Sequence, residues 1–529
     1  MVTTIVTDAN EIFRLNGIPG VNIAWVPDLI YVNNRFERGT VLFCDALGRI
    51  LALQQVDGTK LPEDGKSHNV VIPGAGLVLT TRFVRLRERA LLPGLVNAHS
   101  HAFQRVIRGR TEYRSGSSRD SFWTWREMMY SAAARLTPED VYDASRMAFL
   151  EMALSGITSV GEFHYLHHTE QGTPYEDPNL LAKEVVRAAR DVGLRIALLS
   201  VAYARSGFQT PPDEQQKRFI EPDPQKFLRR VDHLQKHLSR DEDEIVPRGA
   251  WAGVAPHSVR AVPLPYLREV GDFAAEHKLP LHMHVAEQPA EVAACVAEYG
   301  RTPVALLADE GLLNSRFTGV HAIHVTPDEI AALAVARAHV CACPTTERNL
   351  GDGIIPADEM LKANVPIALG SDSHTQIDLL EDARALEYHL RLQKLERNVL
   401  APPSVTDDSG SGTKADEKDA VESADFSALA ARLFACATVN GAASINSPSG
   451  ELAVGRGADF FTVDLQDASI AGANSQDLLP AILFSLARTA VRDVVIGGRL
   501  VVEEGRHSAG AEIVERFVAL QRKLWGNGR

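Results

Sequence analysis

From Leu91 to about Ala443 the chain alternates apolar, strand-like runs with helical stretches, while both flanks consist of short β-type runs. Together these predict an α/β protein: a TIM-like (β/α)8 barrel with a small β-domain made from both chain ends. The runs SGITSVGEF, GLRIALLSVAYA, GAWAGVAP, LPLHMHVAE, FTGVHAIHV, AHVCACPT and VPIALGSD read as strands buried on both faces. Between them lie helical stretches such as PEDVYDASRMAFLEMAL and NLLAKEVVRAARDVG, long enough to cross back over a parallel sheet. The length and number of alternations fit a closed barrel better than an open sheet.

In chain order, residues 1–90 supply β-type runs (NIAWVP, DLIYVNN, GTVLFCDALGRILALQQV and GAGLVLTTRFVRLR). The polar segment 57–69, DGTKLPEDGKSHN, reads as a surface loop because its Gly, Pro, Asp and Lys cannot supply a core. The barrel is expected over 91–445, with a disordered insertion at 401–427, where Pro, Ser, Gly, Asp and Lys dominate. Residues 446–529 return to β-type runs in ADFFTVDL and VRDVVIGGRLVVEEG, then close on a helix, AEIVERFVALQRKLW. They are expected to join residues 1–90 in the composite β-domain.

Composition narrows the function. The 529 residues carry a formal net charge of −13, the wrong sign for a general nucleic-acid binder. No stretch approaches ~20 uninterrupted apolar residues, so no membrane partner is expected. Met1 to Gly20 lacks an apolar h-region, and the five cysteines form no CxxC and no even framework. A cytoplasmic enzyme follows as the expectation, with Cys341 and Cys343 as small buried side chains on a strand.

The strongest chemical signal is LLPGLVNAHSHAFQR, where His99 and His101 end an apolar run. In a strand, residues i and i+2 share a face, and barrel active sites lie at the strands' C-terminal ends. Three later strands repeat the placement: His282 and His284 in LPLHMHVAEQ, His321 and His324 in GVHAIHV, and Asp372 in VPIALGSDSH. Imidazoles with one carboxylate around an open position are the ligands of a catalytic divalent metal, with Zn2+ the default.

This order of HxH, His, His and Asp on successive strands resembles the amidohydrolase superfamily, over nearly the whole chain. The resemblance implies a β-sandwich for the split β-domain and a homodimer. HAFQR, FWTWRE, EFHYLHH, PHSVR, HVAEQ, CPTTERNLGDG and GSDSH are similar to the superfamily's deiminases of histidine breakdown. It implies His99, His101, His284 and Asp372 as metal ligands, with His282 and His324 structural. Glu287, His321 and Asp372 become the catalytic residues. Dinuclear relatives add a lysine on the fourth strand; RIALLSVAYARSGF, taken as that strand, has none, so one metal ion is expected.

The implied substrate is a small dianionic linear amidine, hydrolysed with release of ammonia. Arg126 in FWTWRE and Arg260 in PHSVR, after a fifth-strand region, are the candidates to grip its carboxylates, because a guanidinium fork matches a carboxylate. Gln104, Tyr165 and His257 complete the implied substrate contacts, while Glu347 and Arg348 are unassigned. A deaminase of guanine or a related heterocycle is the alternative, which would want an aromatic slot; a non-catalytic scaffold is the third reading. The N-terminal extension, 57–69 and 401–427 depart from the compact pattern without touching a motif.

Overall fold

The computed structural model describes residues 5–6, 22–57, 61–72, 77–114, 122–240, 249–403 and 427–526. The N-terminal extension and the 401–427 insertion lie almost wholly outside these. Eight parallel strands follow one another around a barrel: β1 (Leu95–Ser100), β2 (Ile157–His164), β3 (Arg195–Ala202), β4 (Ala250–Pro256), β5 (Leu281–Val285), β6 (Phe317–His321), β7 (His339–Ala342) and β8 (Ile367–Leu369). The apolar runs form these strands because helices cover their outer faces and side chains fill the inside.

Closure occurs at the residues of chemical interest. Ser100 bridges Asp372 in parallel; the Asp372 N–H donates to the His99 carbonyl at 3.1 Å and the His101 N–H to the Asp372 carbonyl at 3.2 Å. Gly370 permits this approach, since a Cβ there would lie 2.8 Å from His99 Cβ and 3.0 Å from Cys341 Sγ.

The helix read from PEDVYDASRMAFLEMAL spans Pro138–Leu154, its start set by a capping box between Thr137 and Asp140 with Pro at the first turn. Leu180–Val192 buries Leu181, Val185, Ala188, Ala189 and Val192 along one face and stops at Gly193, whose φ is 90°. At the opposite end from the closure, helix Val439–Ile445 lies across the start of the barrel: the Ser444 carbonyl meets His282, the Ile445 carbonyl accepts Trp251 Nε1–H, and Asn440 donates to the Ile367 carbonyl. The stretch Ala428–Ile445 is apolar and long enough to cross a bilayer, but 56% of it is buried within the protein.

The β-domain centres on Leu77–Pro93, a strand that pairs in parallel with Asn22–Val32 and antiparallel with Phe460–Asp464, so both chain ends meet on it. Gly94 passes the chain directly into β1, and a Cβ there would collide with Thr158 at 2.2 Å. Trp25 packs edge-on against Phe460 at 5.3 Å. The domain is tied to the barrel by a buried pair, Arg195 of β3 with Asp459, at 2.6 and 3.0 Å.

Three sequence expectations need correction. Ser67–Asn69 belong to strand Ser67–Ile72, which pairs with Leu77–Pro93, so the 57–69 segment is not loop throughout. The terminal helix, Gly510–Trp525, packs on barrel helix Pro138–Leu154, with Arg516 bonded to Asp143 and Arg146 to Glu512. RIALLSVA is the third barrel strand and AWAGVAP the fourth, because only one strand, β2, separates the HxH strand from it. β4 also lacks a lysine.

Candidate metal centre and active site

His99 and His101 leave the end of β1 on the same side, as strand alternation requires. His284 comes from β5, and Asp372 follows β8 with φ of 43°. Donor atoms of these four buried residues all lie within 4.8 Å of one another. His99 Nε2 is 3.1 Å from both His101 Nε2 and His284 Nε2, and Asp372 Oδ1 is 3.2 Å from His101 Nε2 and 3.4 Å from His99 Nε2.

Backbone carbonyls set the tautomers. His101 Nδ1–H donates to the Phe163 carbonyl at 3.0 Å, and His284 Nδ1–H to the His257 carbonyl at 3.2 Å. Each ring therefore presents its Nε2 lone pair to the others. Burial lowers His99 to about 3, and burial and neighbouring imidazoles hold His284 well below its ordinary value, so both are neutral. Burial alone would raise Asp372, but hydrogen bonds and charge from His101 and His99 hold it well below the usual carboxylate range. Converging lone pairs beside a carboxylate repel one another unless a cation lies between them, so this donor set fits one divalent metal ion.

His282 shares the inward face of β5 with His284 but lies a layer lower, where its Nε2 meets the Ser444 carbonyl at 2.9 Å. It is structural, as is His324, bonded to the Asp352 carbonyl at 3.0 Å.

His321 ends β6 with φ of 71°, a left-handed conformation that costs about 1–2 kcal/mol in a non-glycine residue and marks a constrained position. Its Nδ1 faces Glu347 Oε1 at 3.3 Å; its Nε2 lies 3.7 Å from Glu287 Oε1 and 3.8 Å from Asp372 Oδ2. Burial disfavours its charge, yet Glu287, Glu347 and Asp372 outweigh burial and raise it well above the ordinary histidine value. Glu287 turns inward after Ala286, whose φ is 51°. Burial raises its carboxyl, His321 and Arg260 opposing and Asp372 reinforcing the shift. Cys343 also lies beside His321 and Glu347, but its N–H donates to Glu347 and its sulfur is buried against Cys341.

A cavity opens over this centre. Gln104, Arg126, Tyr165, His257 and Arg260 all line it, beside Glu287, His321 and Asp372. Gln104 Nε2–H donates to the Tyr165 hydroxyl at 2.7 Å, and Arg126 lies over the Tyr130 ring at 5.4 Å. Arg260 Nη1 is buried and has no hydrogen-bond partner among the described residues. Burial and the charge of Arg260 keep His257 neutral, well below its ordinary value. Arg348 points away and pairs with Glu381 at 3.4 Å.

Several residues escaped sequence reading. The role of Glu347, unassigned within CPTTERNLGDG, is to orient His321. Glu162, within EFHYLHH, braces the HxH turn: Ser100 Oγ–H donates to it at 2.5 Å and the Ala102 N–H at 2.7 Å. Burial raises Glu162 to about 7 against those two hydrogen bonds. Tyr130, Tyr203 and Phe219 also line the cavity, and nothing in their spacing marks them.

Comparison with known proteins places this geometry. The Amidohydrolase family matches residues 90–501. The chain is 38% identical over 437 residues to the formimidoylglutamate deiminase of Pseudomonas aeruginosa, covering 82% of this chain and 89% of that protein. It is 27% identical over 413 residues to a 5-methylthioadenosine/S-adenosylhomocysteine deaminase of Pyrococcus abyssi, covering 78% and 82%. Among solved structures, an amidohydrolase from Brucella melitensis superposes with a TM-score of 0.79 at 32% identity, covering 95% of this chain and 99% of that one. An adenosine deaminase from Xanthomonas campestris with bound zinc shares the fold, with a TM-score of 0.72 at 21% identity over 95% and 98% of the two chains.

Proposed function

The chain belongs to the amidohydrolase family and is a metal-dependent hydrolase; from that premise we propose that its reaction is N-formimidoyl-L-glutamate plus water to N-formyl-L-glutamate plus ammonia. One observation carries the substrate reading: a single cavity joins the metal-donor set and Glu287 to two arginines, Arg126 and Arg260. An amidine bearing two carboxylates fits that lining. The name of the Pseudomonas aeruginosa relative supports the same substrate.

His99, His101, His284 and Asp372 would hold the ion, with Zn2+ the natural choice for three imidazoles and a carboxylate. When bound, a divalent ion lowers the pKa of water to about 7 and so supplies a nucleophile near neutrality. Asp372, held ionised, accepts the proton from the attacking water. Glu287, its carboxyl raised by burial, donates to the imine nitrogen and makes the amidine carbon electrophilic. As water's oxygen bonds to that carbon, the cationic His321, oriented by Glu347, stabilises the growing negative charge. The proton held by Asp372 then passes to the amine nitrogen while Glu287, now a carboxylate, takes the proton of the new hydroxyl; the C–N bond breaks, ammonia leaves, and Glu287 is again protonated and Asp372 again ionised. Arg126 and Arg260 grip the carboxylates, with Gln104, Tyr165 and His257 as neutral contacts.

A second reading, deamination of a heterocycle, is favoured by the aromatic wall of Trp125, Tyr203 and Phe219 and by the name of the 27% identical relative. Ammonia release from formimidoylglutamate, guanine and methylthioadenosine decides between them; turnover of a ring substrate alone refutes the first. Metal analysis should find one ion per chain. We also read the protein as cytoplasmic, supported by five buried free thiols, and as a homodimer, supported by exposed Tyr388, Leu392 and Leu395 around helix Leu379–Lys394. Light scattering tests the dimer.

A further inference from the structure

Gln216 lies outside every motif discussed so far. It ends a short turn, Glu214–Gln216, in the connection between β3 and helix Pro224–Arg240, and it is 1% exposed. Its amide reaches back beneath the cavity: Nε2–H donates to the Tyr130 hydroxyl at 2.7 Å and to the Tyr203 hydroxyl at 3.1 Å. Both tyrosines line the cavity with Arg126 and Arg260, and Tyr203 packs on the His257 ring at 4.6 Å.

Counting hydrogens shows what this bracket does. The amide has two N–H groups and gives one to each hydroxyl oxygen, so both hydroxyls act there as acceptors. Neither hydroxyl donates to an acceptor among the described residues, which leaves the O–H of each for the cavity that both tyrosines line. Reversing the amide would take up both hydroxyl hydrogens and bury two N–H groups without acceptors; the observed orientation leaves only Gln216 Oε1 unpartnered.

We infer that Gln216 is a positioning residue that fixes the Tyr130–Tyr203 pair as an O–H donor toward one substrate carboxylate, beside the arginines. The inference rests on the dianionic-substrate reading. It gives the buried amide a task that core packing alone does not require: it decides whether the tyrosine edge of the cavity donates to an anion or repels it.

The test is a KM and kcat comparison of wild type, Gln216→Leu, Tyr130→Phe, Tyr203→Phe, the double Phe variant and the triple variant, on formimidoylglutamate. Gln216→Leu should raise KM about ten- to hundredfold, the range for losing a hydrogen bond to a charged group, with kcat within about threefold. At least one single Phe variant should raise KM similarly. Adding Gln216→Leu to the double Phe variant should then change KM little, because the amide acts through the hydroxyls. Full additivity in that cycle, or unchanged KM in both single Phe variants, overturns the bracket even if Gln216→Leu folds poorly. Absence of wild-type turnover would instead overturn the substrate reading, and the bracket with it.

Discussion

Arg260→Met is the most informative single perturbation. In the free protein, Arg260 Nη1 is buried without a hydrogen-bond partner among the described residues. Glu291 and Glu287 lie close enough to support its charge. A buried N–H left unmade costs about 1–3 kcal/mol, a cost that an arriving carboxylate removes. Methionine keeps an apolar stem and deletes both the unmet donor and the charge. Two effects of opposite sign follow. Thermal stability should hold or rise, because the unsatisfied donor is gone. The kcat/KM for formimidoylglutamate should fall by roughly 30- to 5000-fold, corresponding to about 2–5 kcal/mol for a buried charged contact. Arg260→Lys should recover only part, since an ammonium lacks the fork. Ammonia release is the assay, with an uncharged amidine lacking both carboxylates as the control substrate. Unchanged kcat/KM refutes the carboxylate grip, and an equal loss on the control would show that the mutation disturbs the centre itself.

Other predictions concern the proton path, the domain junction and pH. Glu287→Gln should lower kcat by roughly 10²–10⁴ with metal content intact, and unchanged turnover would make this glutamate a bystander. His321→Asn should be more damaging than His324→Asn, since only His321 faces Glu287 and Asp372; kinetics in the reverse order would contradict the geometry. Asp459→Asn removes one charge of the buried Arg195–Asp459 pair, so the denaturant midpoint should drop, by about 3–5 kcal/mol in stability. An unmoved midpoint would mean that the junction relaxes around the loss. Glu162 is raised from 4.5 to about 7 by burial, so between those values the folded protein binds more protons than the unfolded chain. Metal-stripped wild type should therefore lose up to about 3 kcal/mol as pH rises through that window, relative to Glu162→Gln, and parallel urea midpoints at pH 5 and 8 would exclude it.

The barrel and the His99–His101 pair were legible in the chain because both depend on local order, whereas the choice of His284 and Asp372 as the other ligands came from the family resemblance. A strand buried on two faces must be apolar along its whole length, and strand alternation puts His99 and His101 on one side without reference to any other segment. The same rule could not separate His282 from His284. They share a face, and what distinguishes them is depth: one meets the Ser444 carbonyl at the helix-covered start of the barrel, the other the metal centre. That difference is created by helix Val439–Ile445, more than 150 residues later.

Closure, orientation and donor direction were decided only in three dimensions. The backbone carbonyls of Phe163 and His257 set which nitrogen each imidazole presents, and carbonyls leave no mark in a sequence. Glu347 meets His321, and Asp459 meets Arg195, through contacts between different chain segments that no periodicity encodes. The strand count slipped by one because apolar runs do not number themselves; the hydrogen-bonded neighbour does. The C-terminal helix was legible as a helix but not as part of the barrel's outer layer, since its partners Asp143 and Arg146 lie far up the chain. Gln216 is the furthest case: an ordinary glutamine in a polar loop, whose two N–H groups gain a direction only when β3 and the neighbouring helix bring Tyr203 and Tyr130 over it. Residue chemistry and local alternation belong to the sequence, whereas hydrogen-bond direction belongs to whichever distant atoms the fold brings within about 3 Å.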